Sequence, residues 1–173
     1  MKTQLILISA FFIMLTTQAQ QLIAYTYVSM AENHKNIVAT KRMNASYLNA
    51  VNFSSSTMTI NQLQREAANY NIKSSSAFDD SEPAIYDVNF KKGKNRLWVT
   101  YDHQGHVLSS HETYFNVPLP VDLRIEISKR YPDWEFVETK CQINYDFMKG
   151  SQKTYHLTLK KGSKKIILND LVI

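Results

Sequence analysis

The fold is decided by residues 86–99, which read YDVNFKKGKNRLWV, because a second copy follows at residues 155–168 as YHLTLKKGSKKIIL. The two copies keep a constant offset of 69 residues, which relates Gly93 to Gly162. Each copy alternates apolar and polar residues, reaches Lys-Lys-Gly and then alternates again. This is the pattern of a β-hairpin whose two-residue turn begins with glycine. We therefore predict two hairpins with type II′ turns.

The position of the turn fixes which side chains face each other across each hairpin. In the first hairpin the pairs assigned to the buried face are Phe90 with Leu97, Val88 with Val99 and Tyr86 with Tyr101. The outer face carries Asn89 with Trp98, Asp87 with Thr100 and Lys91 with Arg96. In the second hairpin the buried pairs are Leu159 with Ile166 and Leu157 with Leu168. Its outer pairs are Thr158 with Ile167 and His156 with Asn169.

Sequence signals before each hairpin predict a helix. Thr59 followed by Gln62 is a capping-box pattern, and it opens a helix that ends near Asn71. One apolar face of this helix comprises Ile60, Leu63, Ala67 and Tyr70. A second helix begins after Pro120, because its first turn carries an acidic residue and its last turn two basic ones.

Further strands are predicted at residues 22–30, 74–78, 106–115 and 137–147. The strand at 106–115 follows a type I turn from Asp102 to Gly105. The apolar phase switches between Phe136 and Val137, which marks either a bulge or the end of the preceding loop. From Val137 onward the alternate residues are assigned to the buried face. Residues 33–51 suit a helix loosely, and a loop or short strand equally well.

Together these elements predict an α+β fold of two tandem units, each a helix followed by an antiparallel meander, with an antiparallel sheet and the helices packed on one face. The predicted divisions are a signal peptide at 1–19, an unassigned N-terminal segment at 20–58, a first unit at 59–117 and a second unit at 118–173.

The first residues have the pattern of a secretory signal peptide. A basic start, an apolar run at residues 5–15 and small residues at Thr17 and Ala19 predict cleavage after Ala19. The apolar run is shorter than the ~20 residues that span a bilayer, so a membrane anchor is disfavoured. Cys141 is the only cysteine and lies far from the cleavage site, which excludes a lipoprotein and an internal disulfide. We expect a soluble periplasmic or secreted protein that is not membrane-embedded.

The net charge is +5, and the densest positive clusters are the lysines of the two hairpin turns. A nucleic-acid surface needs a basic stripe interleaved with stacking aromatic residues. Solvated turn lysines are the better interpretation, so no nucleic-acid partner is expected.

Short motifs support a family resemblance. Residues 101–108, YDHQGHVL, resemble an aromatic-Asp-x-x-Gly-x-apolar-Leu turn. The helix start at Leu119 and Pro120 and the helix end at residues 130–134 fit the same pattern. Over residues 59–173 the chain thus resembles the PepSY-like family, which is similar in fold to the beta-lactamase-inhibitory protein. The resemblance implies an exported domain of Bacteroidetes-type bacteria with no catalytic motif, and it names no partner.

No residue is predicted to be catalytic, to bind a metal or to hold a cofactor. His103, His106 and His111 form the densest histidine group, but their spacing around a tight turn favours exposed turn residues over metal ligands. Cys141 and His156 are a conceivable nucleophile pair. The apolar residues in phase with Cys141 favour a buried, inert thiol instead.

The remaining candidate is a surface for a partner, formed on the outer face by Arg96, Trp98, His156 and Ile167. Trp and Arg are the residue types that dominate binding hot spots. The competing interpretation is that the N-terminal segment covers Trp98. We expect an exported non-catalytic binding protein whose specific form is an inhibitor or regulator of an extracytoplasmic enzyme, with an unknown extracytoplasmic protein as its partner. The alternatives are a histidine-based metal protein or enzyme, and a small-ligand-binding or structural module of the cell envelope.

Overall fold

A computed structural model describes the backbone of residues 23–28 and the residues 43–53 and 55–172. The predicted signal peptide lies outside these residues. The helices are α1 Ala45–Val51, α2 Met58–Ala68 and α3 Val121–Arg130, with one 3-10 turn at Ile72–Ser74. The strands are β1 Ile23–Val28, β2 Ile85–Lys92, β3 Asn95–Tyr101, β4 Val107–Phe115, β5 Glu135–Asp146, β6 Gly150–Lys161 and β7 Lys164–Val172.

The strands form one sheet in which the order in space is the order in sequence, β1 to β7. Each pair of adjacent strands from β2 to β7 is antiparallel. The helices together with this antiparallel sheet confirm the predicted α+β class. The strand predicted near the N-terminus is also present, but β1 pairs with β2 in parallel. A parallel pair needs a long crossover connection, and the chain between β1 and β2 includes α1 and α2. The prediction of a wholly antiparallel sheet is therefore wrong at the β1 edge.

The hairpin registers follow from their turns. Every inner and outer pair predicted for the first hairpin is present. Gly93 has φ +60° and Gly162 has φ +58°. Among the described residues, the non-glycine positions with positive φ are Asn116, Asp133 and Asp170. The second turn residue therefore has negative φ in both hairpins, as a type II′ turn requires.

The second hairpin keeps its predicted register from the turn as far as Leu157, which lies opposite Leu168. Beyond that point Tyr155 lies opposite Leu171, so β7 holds one extra residue. Asp170, with φ +56°, absorbs this residue in a bulge. His156 and Asn169 are therefore not a regular ladder pair as predicted, because the turn does not determine a bulge this far from the glycine. Their side chains still meet on the outer face, with His156 Nδ1 3.1 Å from Asn169 Oδ1.

Helix α2 begins two residues earlier than predicted. Thr57 is its N-cap, since the Thr57 hydroxyl accepts a hydrogen bond from the Ile60 amide at 3.4 Å. The helix ends at Ala68 rather than near Asn71. Asn71 instead caps the 3-10 turn Ile72–Ser74, which occupies part of the segment predicted as a strand at 74–78. Asn and Ser side chains that bond to nearby backbone compete with a strand ladder.

All three helices pack on one face of the sheet, which we call the inner face. Under α1 and α2 the first hairpin contributes six fully buried side chains, Tyr86, Val88, Phe90, Leu97, Val99 and Tyr101. Under α3, Ile127 packs with Leu157 and Leu159 of the second hairpin. The predicted inner faces of both hairpins are thus confirmed where they meet the helices.

The bulge predicted at the start of β5 is present, since the register shifts between Phe136 and Glu138. Its consequence for Val137 differs from the prediction. Phe136 lies opposite Leu159 and Thr139 opposite Leu157, so both face the helices and Val137 is the extra residue. Val137 is 55% exposed rather than buried.

Candidate functional site

The outer face of the sheet, opposite the helices, carries a row of side chains at one level of β2 to β6. The ladder pairs in this row are Asn89 with Trp98, Trp98 with His111, His111 with Asn144, and Asn144 with Gln152. Trp98 is half-buried, whereas His111, Asn144 and Gln152 are exposed. Trp98 is therefore the large side chain of an otherwise polar row.

Arg96 lies two residues from Trp98 on β3 and faces the same side of the sheet. Its Nη1 donates hydrogen bonds to the carbonyl oxygens of Gly93 and Asn95, both at 2.9 Å. These bonds hold the guanidinium beside the turn. The structure therefore brings two of the four predicted site residues together.

His156 and Ile167 form a second group on β6 and β7. The ring nitrogens of His156 lie 2.6 Å from Gln142 Oε1 and 3.1 Å from Asn169 Oδ1. Ile167 is opposite Thr158 and is 60% exposed. Strands β3 and β7 are four positions apart, which is roughly 20 Å across the sheet. All four residues share the outer face, but as two separate pairs.

The three clustered histidines separate into three environments. His103 stacks on Phe78 with ring centroids 5.0 Å apart, and its side chain is 19% exposed. His106 is 51% exposed, and its Nδ1 lies 2.9 Å from Asp102 Oδ2. His111 Nδ1 lies 2.6 Å from Asn144 Oδ1. The interpretation as exposed turn residues thus fails for His103, because Phe78 packs against it.

Within the described ranges, no three His, Cys, Asp or Glu side chains are grouped so that they could hold a metal ion.

Cys141 is fully buried on the inner face, opposite Tyr155 on β6. Burial raises the pKa of its thiol to about 11. His156 is the next residue after Tyr155, and neighbouring residues on a strand point to opposite faces. Cys141 and His156 are therefore on opposite sides of the sheet, and the geometry excludes their direct pairing.

The sequence reasoning missed Glu112, a fully buried carboxylate at the centre of a polar cluster. Four side chains donate hydrogen bonds to it, at 2.9 Å from Tyr47, 2.8 Å from Gln64, 3.0 Å from Ser110 and 2.7 Å from Tyr114. Desolvation raises the pKa of Glu112, and these four bonds oppose that rise. The one signal in the sequence is its phase, because Glu112 alternates with the buried residues Ser110 and Tyr114 on β4.

The Glu112 cluster joins the helix layer to the sheet. Tyr47 belongs to α1 and Gln64 to α2, whereas Ser110 and Tyr114 belong to β4 with the carboxylate itself. The carboxylate is enclosed by its donors and 0% exposed, which suits a structural role in docking the helices.

A half-open cleft of about 250 Å³ lies at the end of the sheet where β3 turns into β4. Its lining includes Met43, Ser46, Asp102, His106 and Phe147. Ligand pockets usually measure ~300–1,000 Å³, so this cleft is below the usual size for a small-molecule site.

Comparison of the chain with known proteins gives no match among family models, curated proteins or solved structures. Among the described residues, no helix is both long and apolar enough to cross a membrane.

Proposed function

We propose that this chain is an exported, non-catalytic binding protein that inhibits or regulates an extracytoplasmic enzyme. The observation that carries the proposal is the asymmetry of the sheet. Helices α1, α2 and α3 cover the inner face, while the outer face presents Trp98 and Arg96 within a polar surface. We place the centre of the partner contact on these two residues.

Trp98 and Arg96 suit a hot spot in both type and setting. A tryptophan supplies a large apolar surface with a polar tip, and an arginine supplies several donors in a rigid plane. Arg96 is already held by two backbone carbonyls, so less side-chain entropy is lost when a partner binds. The exposed polar residues His111 and Asn144 supply the rim that surrounds such a centre.

His156 and Ile167 serve as the far edge of the same contact. A standard interface buries about 800 Å² on each partner, which corresponds to a patch roughly 30 Å wide. Ile167 is roughly 20 Å from Trp98 across the sheet and about 20 Å further along the strands, which gives a separation of about 28 Å. This is just within the width of one standard interface.

Export, periplasmic or secreted location and membership of the PepSY-like family belong to the same proposal. The element order supports the two proposed units, since α2 precedes β2, β3 and β4, and α3 precedes β5, β6 and β7. The constant offset between the two hairpins supports an internal repeat. Cleavage after Ala19 is tested by the N-terminal mass of the exported protein.

A capture experiment tests the choice of surface. The exported protein and its Trp98→Ala, Ile167→Ala variant are immobilised and exposed to an envelope extract. We expect the variant to lose the captured protein, because both parts of the outer-face contact are truncated. Met58→Ala is the matched control, since Met58 is 87% exposed on α2, away from the outer face. If the double variant is folded and still captures the same protein as the wild type, the proposed contact surface is wrong.

A further inference from the structure

Strand directions place both lysine-rich turns at the same end of the sheet. Strands β2 and β6 are separated by four antiparallel steps, so they run in the same direction, β2 toward Gly93 and β6 toward Gly162. We call the two turns together the lysine end, which comprises Lys91, Lys92, Lys94, Lys160, Lys161, Lys164 and Lys165. The sequence shows the lysines but not that the two groups share one end.

The opposite end of the sheet is acidic. The loops there lead into β2, join β3 to β4, and join β5 to β6. Their carboxylates are Asp79, Asp80, Glu82, Asp102 and Asp146. The lysine end also carries the carboxylates of Asp133 and Glu135, which are fewer than its lysines. The described part of the molecule is therefore electrically polarised along the strands, positive at the lysine end.

Most of the charge at the lysine end is not neutralised within the fold. Lys92 donates to Gln62 Oε1 at 2.6 Å, and Lys161 Nζ lies 3.3 Å from Asp133 Oδ2. Among the described residues, no hydrogen bond or ion pair engages the other lysine side chains of the two turns. Those exposed side chains are Lys91, Lys94, Lys160, Lys164 and Lys165, of which Lys160 lies opposite the exposed Glu135 on β5.

The two turns are staggered rather than side by side. They are four strand positions apart, which is roughly 20 Å across the sheet. The level of Arg96 on β3 continues across the sheet through Thr113 and Gln142 to Thr154 on β6. Arg96 is close to the first turn, whereas Thr154 is far from the second turn, so the second turn lies about 20 Å further along the strands. A flat surface that touches both turns is therefore inclined at about 45° to the strands.

We propose that the lysine end docks on an anionic phospholipid surface. The cations are lysines on flexible side chains at two separated turns, and neither turn segment, residues 91–96 or residues 160–165, contains an aromatic residue. A protein interface needs packed anchors at fixed positions, whereas mobile lipid headgroups meet diffuse point charges wherever they lie. Each lysine near such a surface contributes ~1 kcal/mol, which is roughly a fivefold gain in partitioning.

This docking uses a different surface from the partner contact proposed above, and the two surfaces meet at Arg96, whose guanidinium is bonded to the Gly93 carbonyl oxygen of the first turn. The lysine end lies at one end of the strands, while Trp98 lies on the outer face of the sheet. An inclined molecule on a membrane leaves that face accessible to a second protein.

The test is sedimentation of the exported protein with vesicles. The vesicles are phosphatidylcholine alone, or phosphatidylcholine with roughly one third phosphatidylglycerol, at about 0.05 M and about 0.5 M salt. Two variants each remove two exposed lysines, Lys91→Gln with Lys94→Gln in the first turn, and Lys160→Gln with Lys164→Gln in the second. The matched control, Lys73→Gln with Lys149→Gln, removes two charges elsewhere.

We expect binding to the anionic vesicles only, with loss of binding at high salt. Each turn variant should partition roughly 30-fold more weakly, and the control variant close to wild type. Equal binding to neutral vesicles, equal weakening by the control variant, or absence of anionic binding at low salt overturns the proposal. Tighter binding to soluble polyglutamate than to vesicles of matched charge also overturns it, because the partner is then an acidic macromolecule.

Discussion

Removing the buried carboxylate of Glu112 should disrupt the docking of the helices on the sheet. In Glu112→Ala, the Tyr47 and Tyr114 hydroxyls and the Gln64 amide lose their acceptor in a site that is 0% exposed. Each buried polar group left unsatisfied costs ~1–3 kcal/mol, so the three together cost about 3–6 kcal/mol after partial rearrangement. Native proteins are stable by only ~5–15 kcal/mol, so this variant should lose a large fraction of the protein's stability.

Glu112→Gln separates the effect of charge from the effect of shape. The amide keeps the size of the carboxyl group and one acceptor oxygen, and the tyrosine hydroxyls can rotate to accept from its NH₂ group. The folded-state pKa of Glu112 is raised by burial above its unfolded value. Its contribution to stability is therefore fully present below the unfolded pKa and is lost as pH rises toward the folded pKa. The glutamine variant lacks this loss.

The assay is urea unfolding followed by circular dichroism, on the wild type and both variants at several pH values from about 4 to about 8. The free energy of unfolding of the wild type, minus that of Glu112→Gln, should fall as pH rises. Other titrating groups cancel in this difference, including Asp79, whose pKa is lowered mainly by its hydrogen bonds with Ser81. A difference independent of pH, or a cost below about 1 kcal/mol for Glu112→Ala, refutes the reasoning.

Three further predictions concern local features of the fold. Thr57→Ala should lower the free energy of unfolding, measured by urea titration, by ~1 kcal/mol through loss of the α2 N-cap, whereas Thr59→Ala should be near neutral. Equal effects of the two substitutions would contradict the assignment of Thr57 as the cap. Asn44→Ala should lower the free energy of unfolding by ~2–4 kcal/mol in the same assay, because the Asn44 side chain forms hydrogen bonds with three buried backbone groups. A decrease of less than ~1 kcal/mol would show that water takes over these hydrogen bonds, and would contradict the prediction. Cys141 should resist thiol reagents at neutral pH until the protein unfolds, because burial raises the pKa of its thiol to about 11. Rapid modification of the folded protein would contradict the predicted burial of the thiol.

Local sequence signals predicted the hairpins well because the turn glycines determine the register. Gly93 and Gly162 occupy the left-handed region that their turns require, and every pair near them follows. The position of the irregularity in β5 was also predictable, since the phase of its side chains changes there. The strand itself begins at Glu135, two residues before its predicted start, and Val137 is exposed rather than buried. These features depend on contacts between residues that are close in the chain.

Long-range features were not predictable from one sequence. The parallel pairing of β1 with β2 depends on a crossover through two helices, and no local pattern encodes its direction. The Glu112 cluster joins residues that are far apart in the sequence, such as Tyr47 and Glu112. The alternation along β4 places Glu112 on the buried face, but it does not show which distant side chains satisfy the carboxylate there. The separation of Arg96 and Trp98 from His156 and Ile167 depends on the number of strands between the two hairpins. Only the assembled sheet shows it.

The central claim is that the outer face around Trp98 meets a partner protein, and site-specific photo-crosslinking in the cell envelope tests it most directly. A photoreactive residue replaces His111, which is exposed and lies opposite Trp98, or Met58 on α2 as the control. We predict one covalent adduct with another protein from position 111 and none from position 58. A crosslink from position 111 to residues 29–42 of the same chain would contradict the claim, because the chain itself would then cover Trp98.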